Sequence, residues 1–150
     1  MGSECVLCGC KGQIKIDVIN LKGKMSTFGG LLDKGMSDSE GLALYEHHEA
    51  NKRPDLFKPI IKGYEKIPVW KRLKVDSMYC AIRFDPKILR YDLQTTPVKI
   101  VNAEGQFVMA NLVDWGPHRK TDRVIDVSPG VEAALRLKTD DVVEVVIALA

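Results

Sequence analysis

The chain has 150 residues, of which 45% are hydrophobic and 28% charged, with a formal net charge of +2. That size and composition fit one globular domain with its own core better than two. So small a charge, with no long Lys/Arg block and sparse aromatics, argues against a nucleic-acid partner, and no apolar run reaches membrane-spanning length.

The first residues, Met1 to Cys10, lack the basic and apolar regions of a secretory signal. The expectation is therefore synthesis in the cytoplasm, with any delivery elsewhere made by something other than a signal peptide. Cys5, Cys8 and Cys10 form a CxxCxC pattern that holds part of a metal site, but a structural zinc wants four ligands and no second CxxC or HxxxH exists. Reduced thiols on a flexible segment of residues 1–12 are the simpler reading, and Cys80 reads as core.

A single domain is expected over residues 13–150. Residues 13–20 alternate, with Ile14, Ile16 and Val18 on one face of a half-buried strand. Residues 23–28 pair next, and Gly29-Gly30 ends that segment. Ser37 to Glu40 has the spacing of a capping box, which predicts a short helix over 38–48. A basic, proline-punctuated insertion at about 46–76 follows, its Lys/Arg excess read as a solvated face. Strands are expected at 77–84, 97–102, 106–113, 123–127 and 141–149, the middle pair joined as a hairpin through Gly105. Ser128 and Pro129 open a helix as cap and first residue, with Val131, Ala134 and Leu135 as its apolar stripe. The order is mainly β, barrel-like, with one short helix between the last strands.

One residue stands out. Asp126 lies between Ile125 and Val127, in a strand where a core side chain is expected. Twelve positions earlier, Asp114 opens the tight Asp114-Trp115-Gly116-Pro117 loop, where an aspartate often caps its own turn.

The loop at Asp114, Gly116 and Pro117 precedes the strand carrying Arg123, Ile125, Asp126 and Ser128. A helix with Ala133, Ala134, Leu135 and Leu137 then follows. In spacing and order this resembles the six-stranded double-psi β-barrel of the rare lipoprotein A, expansin and lytic transglycosylase A group, over about fifty residues from Pro97 onward. Residues 25–30 look like the first strand of that group. Ser37–Gly41 stands for a family segment whose glutamate lines the cleft, with Glu40 the nearest carboxylate. A second family segment, which carries a histidine, has no counterpart.

The resemblance implies action on glycan strands, with peptidoglycan or another polysaccharide as partner and no cofactor; the missing signal then suggests delivery by a machine, with other virion or tail proteins as further partners. It places the general acid at Asp126, with Asp114 and Glu40 as further catalytic candidates. Such an acid must stay protonated near neutrality, and a desolvated aspartate on a half-buried strand meets that need. Trp115 is a candidate for stacking on a sugar, and His118, Asp38 and Tyr45 are further substrate-binding candidates; Asp33 lies near the same glycine break. Two readings stand: a peptidoglycan lytic transglycosylase or muramidase-like enzyme, and a non-catalytic glycan-binding or structural barrel, for example in a phage tail.

Overall fold

The structure is a computed structural model and describes residues 3–5, 10–14, 17–60, 62 and 65–149. Strands β1 (Ser3–Cys5) and β2 (Cys10–Ile14) pair as a two-stranded hairpin, in the segment expected to lack regular structure. The remaining strands are β3 (Asp17–Thr27), β4 (Tyr79–Ile82), β5 (Pro97–Val101), β6 (Phe107–Asp114), β7 (Arg123–Val127) and β8 (Val142–Leu149). They close a six-stranded barrel in the order β3-β7-β4-β6-β5-β8. The pairs β3–β7 and β4–β6 are parallel and the other four antiparallel, so the mainly β barrel read from the sequence is the fold observed.

The inner face follows period two on every strand. Met25, Cys80, Ile82, Val98, Ile100, Ala110, Leu112, Ile125, Val127, Val143, Val145 and Ile147 are all buried. At β3 the expected phase is off by one. Ile19 and Leu21 pack toward the core, paired with Ile147 and Val145, while Val18 is 54% exposed. An apolar run such as Val18-Ile19 leaves the phase open, and the pairing with β8 decides it.

The last helix, α3 (Pro129–Leu135), begins as its sequence predicts: the Ser128 hydroxyl accepts from the Val131 N–H at 3.1 Å, with Pro129 in the first turn. Its buried residues are Val131 and Leu135, and Ala134 faces outward. A short helix without an expected counterpart, α2 (Arg90–Thr95), precedes β5.

The segment between β3 and β4 departs most from expectation. Residues 38–46 are not helical, because the Ser37 hydroxyl accepts the Ser39 N–H and closes a local turn. Only α1 (His47–Ala50) is helical, and its capping box uses Glu46 and Glu49. Nor is the insertion simply a solvated face. Leu56, Phe57, Trp70 and Leu73 are buried in it, and Phe57 bridges to Leu73.

Arg72 is only 2% exposed. Its guanidinium donates to the carbonyl oxygens of Lys58 and His47 and to Asn51 Oδ1, and meets His47 Nδ1 at 3.0 Å. A buried cation is tolerable here because several acceptors surround it. No helix among the described residues is long and apolar enough to cross a membrane.

Removing that guanidinium takes the donor from several part-buried acceptors. Arg72→Leu is expected to cost about 3 kcal/mol, read as a lower urea midpoint, whereas Lys52→Leu on the exposed rim of the insertion should stay within about 0.5 kcal/mol.

Candidate functional site

Strand β4 lies between β6 and β7, and the register places one row of residues across four strands. Ser26 on β3 pairs with Asp126, Asp126 with Ala81, and Ala81 with Asp114. Register partners point to one face of a sheet. Asp126 therefore belongs to the outer face, opposite its buried neighbours Ile125 and Val127. Two strand spacings separate Asp114 from Asp126, so their Cα atoms lie about 10 Å apart.

Asp114 reaches this row through an irregularity. Cys80 pairs with Leu112 and Ala81 with Asp114, so Val113 is an extra residue on β6. With strict alternation after the inward Leu112, Asp114 would point inward as well. The bulge turns it outward, as bulges beside functional sites do.

The row opens into a cleft of about 530 Å³. Asp33, Glu40, Asp114, Trp115, His118 and Asp126 all contribute to its lining. Gly116 crosses directly over Asp126: its φ is +150°, and a side-chain carbon on it would sit 3.8 Å from Asp126 Oδ2. A glycine suits that backbone and that approach.

The two aspartates are held differently. Asp114 Oδ1 accepts the N–H of Ala43 at 2.8 Å and that of Trp115 at 2.9 Å. One carboxylate thus caps its own loop and anchors the segment carrying Glu40. The Asp126 carboxyl accepts no hydrogen bond from any described residue. Arg123, the nearest cation in sequence, turns its Nε to Asp140 at 2.9 Å.

Burial pushes Asp126 up to about 6; Arg123 and Arg83 pull it down, and the charges of Asp114 and Asp33 push it up. Burial also raises Asp114 to about 6, opposed by its two backbone hydrogen bonds and reinforced by the charge of Glu40. Both are protonated in part under mildly acidic conditions, which makes proton donation feasible.

The other candidates spread out. Trp115 is 38% exposed, and its indole N–H donates to the Phe84 carbonyl, so one edge is fixed while the ring edges the cleft. His118 is exposed and accepts the Lys120 N–H at Nδ1. Glu40 is exposed at the rim, and the Asp33 carboxylate is taken by the N–H groups of Gly29 and Gly35. Asp38 and Tyr45 lie outside this cleft. Asp38 pairs with Lys71 at 2.8 Å; Tyr45 is buried against Phe57 and accepts from Arg53.

Cys5 and Cys10 stand opposite one another in the β1–β2 hairpin, and Cys8 lies outside the described residues. Glu46, His48 and Glu49 bring donor atoms within 4.8 Å of one another, but Arg90 and Gln94 already occupy the Glu49 carboxylate. Ser26 and Arg83 carry no sequence signal of their place near the cleft, because only the strand register brings them there. No protein-family model matches the chain, and no curated protein matches it significantly.

A carboxyl whose folded-state pKa exceeds its unfolded value stabilises the fold at low pH, and that contribution is lost as pH rises through the folded value. For Asp126 the loss falls between about pH 4 and pH 6. Asp126→Asn should therefore be more stable than the parent at pH 8, with a smaller difference at pH 4, read as melting temperatures at the two values. By carbon NMR, Asp114→Asn should lower the Asp126 titration midpoint, because one negative neighbour is removed.

Proposed function

We propose that the chain is a double-psi β-barrel enzyme that cleaves peptidoglycan glycan strands as a lytic transglycosylase, with Asp126 as its acid and base. The observation that carries this reading is the state of Asp126. It is a half-buried carboxyl in an open cleft, free of hydrogen bonds from described residues and pushed up to about 6. A structural aspartate on a strand is normally satisfied by nearby donors.

The chemistry needs one such group. A glycosidic oxygen leaves readily only when protonated, so Asp126 gives its proton to that oxygen as the C1–O bond breaks. The carboxylate left behind then takes the proton from the sugar's own 6-hydroxyl as that oxygen bonds to C1. The product carries a 1,6-anhydro ring, and Asp126 ends protonated, ready for the next cycle. Asp114 is less suited to activating water, since its Oδ1 already accepts two N–H groups. Its role in this reading is to hold the loop and to keep Asp126 protonated by its charge. Trp115 offers an apolar face to a sugar ring.

Digestion of purified peptidoglycan followed by mass analysis tests the proposal. The parent protein should release anhydro-ended fragments, with kcat/KM falling as pH rises above about 6. Asp126→Asn should lower the rate by at least about a hundredfold, the scale of general acid catalysis. Absence of release by the parent protein sinks the enzymatic reading, and reducing-end products would make it a hydrolase instead.

A further inference from the structure

We propose that Arg83 is a positioning residue for Asp126, clasping the Asp114–Pro117 loop over the acid and supplying the unpaired positive charge that faces it. Arg83 follows β4 directly, two residues beyond Ala81, the position that separates the two aspartates. A single nitrogen, Nη1, donates to the carbonyl oxygen of Pro117 at 2.8 Å and to that of Arg123 at 2.9 Å. One guanidinium therefore ties the loop to the start of β7, three residues before Asp126.

The clasp is two-sided. The Gly116 N–H donates to the carbonyl of Ile82 at 3.3 Å, so the Ile82-Arg83 dipeptide grips Gly116-Pro117 through a backbone and a side-chain bond. Gly116 is the residue nearest Oδ2 of Asp126 among the glycines, so a shift of the Pro117 carbonyl moves the roof of the acid. Through these bonds Arg83 links the loop to the start of β7, the strand that carries the acid.

Its charge adds a second role. Two cations act on Asp126, Arg123 with the larger pull and Arg83 with the smaller, and Arg123 shares its charge with Asp140. Among the described residues, no carboxylate pairs with Arg83, whose hydrogen bonds go only to carbonyl oxygens. An unpaired guanidinium in a partly desolvated position interacts with a nearby carboxylate more strongly than an exposed one. The groups facing Asp126 are then Arg123, Asp114, Arg83 and Asp33, and Arg83 is the one whose removal changes both roof and charge.

The kinetic consequence rests on the acid role proposed for Asp126, but the titration consequence does not. Asp126 is followed by carbon NMR in the full chain and in Arg83→Lys, Arg83→Gln and Arg83→Met, each checked for folding by circular dichroism. Loss of a positive neighbour raises a carboxyl pKa. Arg83→Gln and Arg83→Met should therefore move the Asp126 midpoint upward, while Arg83→Lys keeps it near the parent value. On peptidoglycan, the alkaline limb of kcat/KM should move upward with it, and kcat should fall more in Arg83→Met than in Arg83→Lys. An unchanged Asp126 midpoint in folded Arg83→Gln and Arg83→Met overturns the proposal. A shifted midpoint in a protein that cleaves no glycan upholds it while removing the proposed reaction.

Discussion

The register of β4 between β6 and β7 is the constraint on which the site depends. Strand β4 is short, with Tyr79 to Ile82 buried throughout, and it has no freedom to slide. Cys80 and Ile82 are locked into the core opposite Val127 and Ile125, so Ala81 must face the other way. A one-residue slip of β4 would exchange its faces, turning Cys80 and Ile82 out of the core and setting one of them beside Asp126 in place of Ala81. Barrel closure thus fixes where the acid stands before any loop contributes to it. The Val113 bulge completes the arrangement by bringing Asp114 onto the same face.

Given that scaffold, the two aspartates acquire different chemistry from their surroundings rather than from their identity. Both are desolvated. Asp114 is compensated by two backbone N–H groups, whereas Asp126 is left with distant charges alone. Desolvation disfavours a carboxylate, and hydrogen bonds to the ionised form favour it. A group with the first effect and not the second is an acid in waiting, and one with both is a brace that retains some acidity. The fold tolerates the uncompensated group because the outer face of β7 is partly wet, which lowers the penalty below that of a true interior site.

Much of this was legible in the sequence, and the limits have physical causes. Period-two alternation and turn chemistry located the barrel strands from Tyr79 onward, the Gly105 hairpin and the Ser128-Pro129 helix start, because these signals are local. The Asp114 loop and the Asp126 strand stood out because a carboxylate interrupts an apolar run. The helix expected at 38–48 failed because Ser37 found a closer backbone partner in Ser39. The bulge at Val113 and the position of Arg83 have no local signature. They follow from which strands become neighbours, a long-range fact that a linear pattern does not contain. The expectation that Asp126 occupies a core position was likewise a question of facing, since alternation identifies two faces without saying what covers the second.

What covers it is the segment that leads from β3 into the insertion, and here stability and site are the same question. Residues 28–46 run along the cleft and bring Asp33 and Glu40 to its lining. Three of their anchors are the Gly30 N–H to the Trp70 carbonyl, the Trp70 indole to the Ser37 carbonyl, and the Ala43 N–H to Asp114. Two of these anchors belong to Trp70, which is itself fully buried in the insertion's own core beside Arg72. The third belongs to the site. The far end is held by Asp114, whose carboxyl is pushed up to about 6, and by the buried Leu44, whose N–H donates to the Val113 carbonyl and whose carbonyl accepts from Arg90 and Gln94. Of these anchors only the Ala43 bond weakens as the Asp114 carboxylate gains a proton and becomes a poorer acceptor. The cleft wall therefore keeps pH-independent anchors at both ends, and a single bond in it, beside the acid, answers to the protonation of the site.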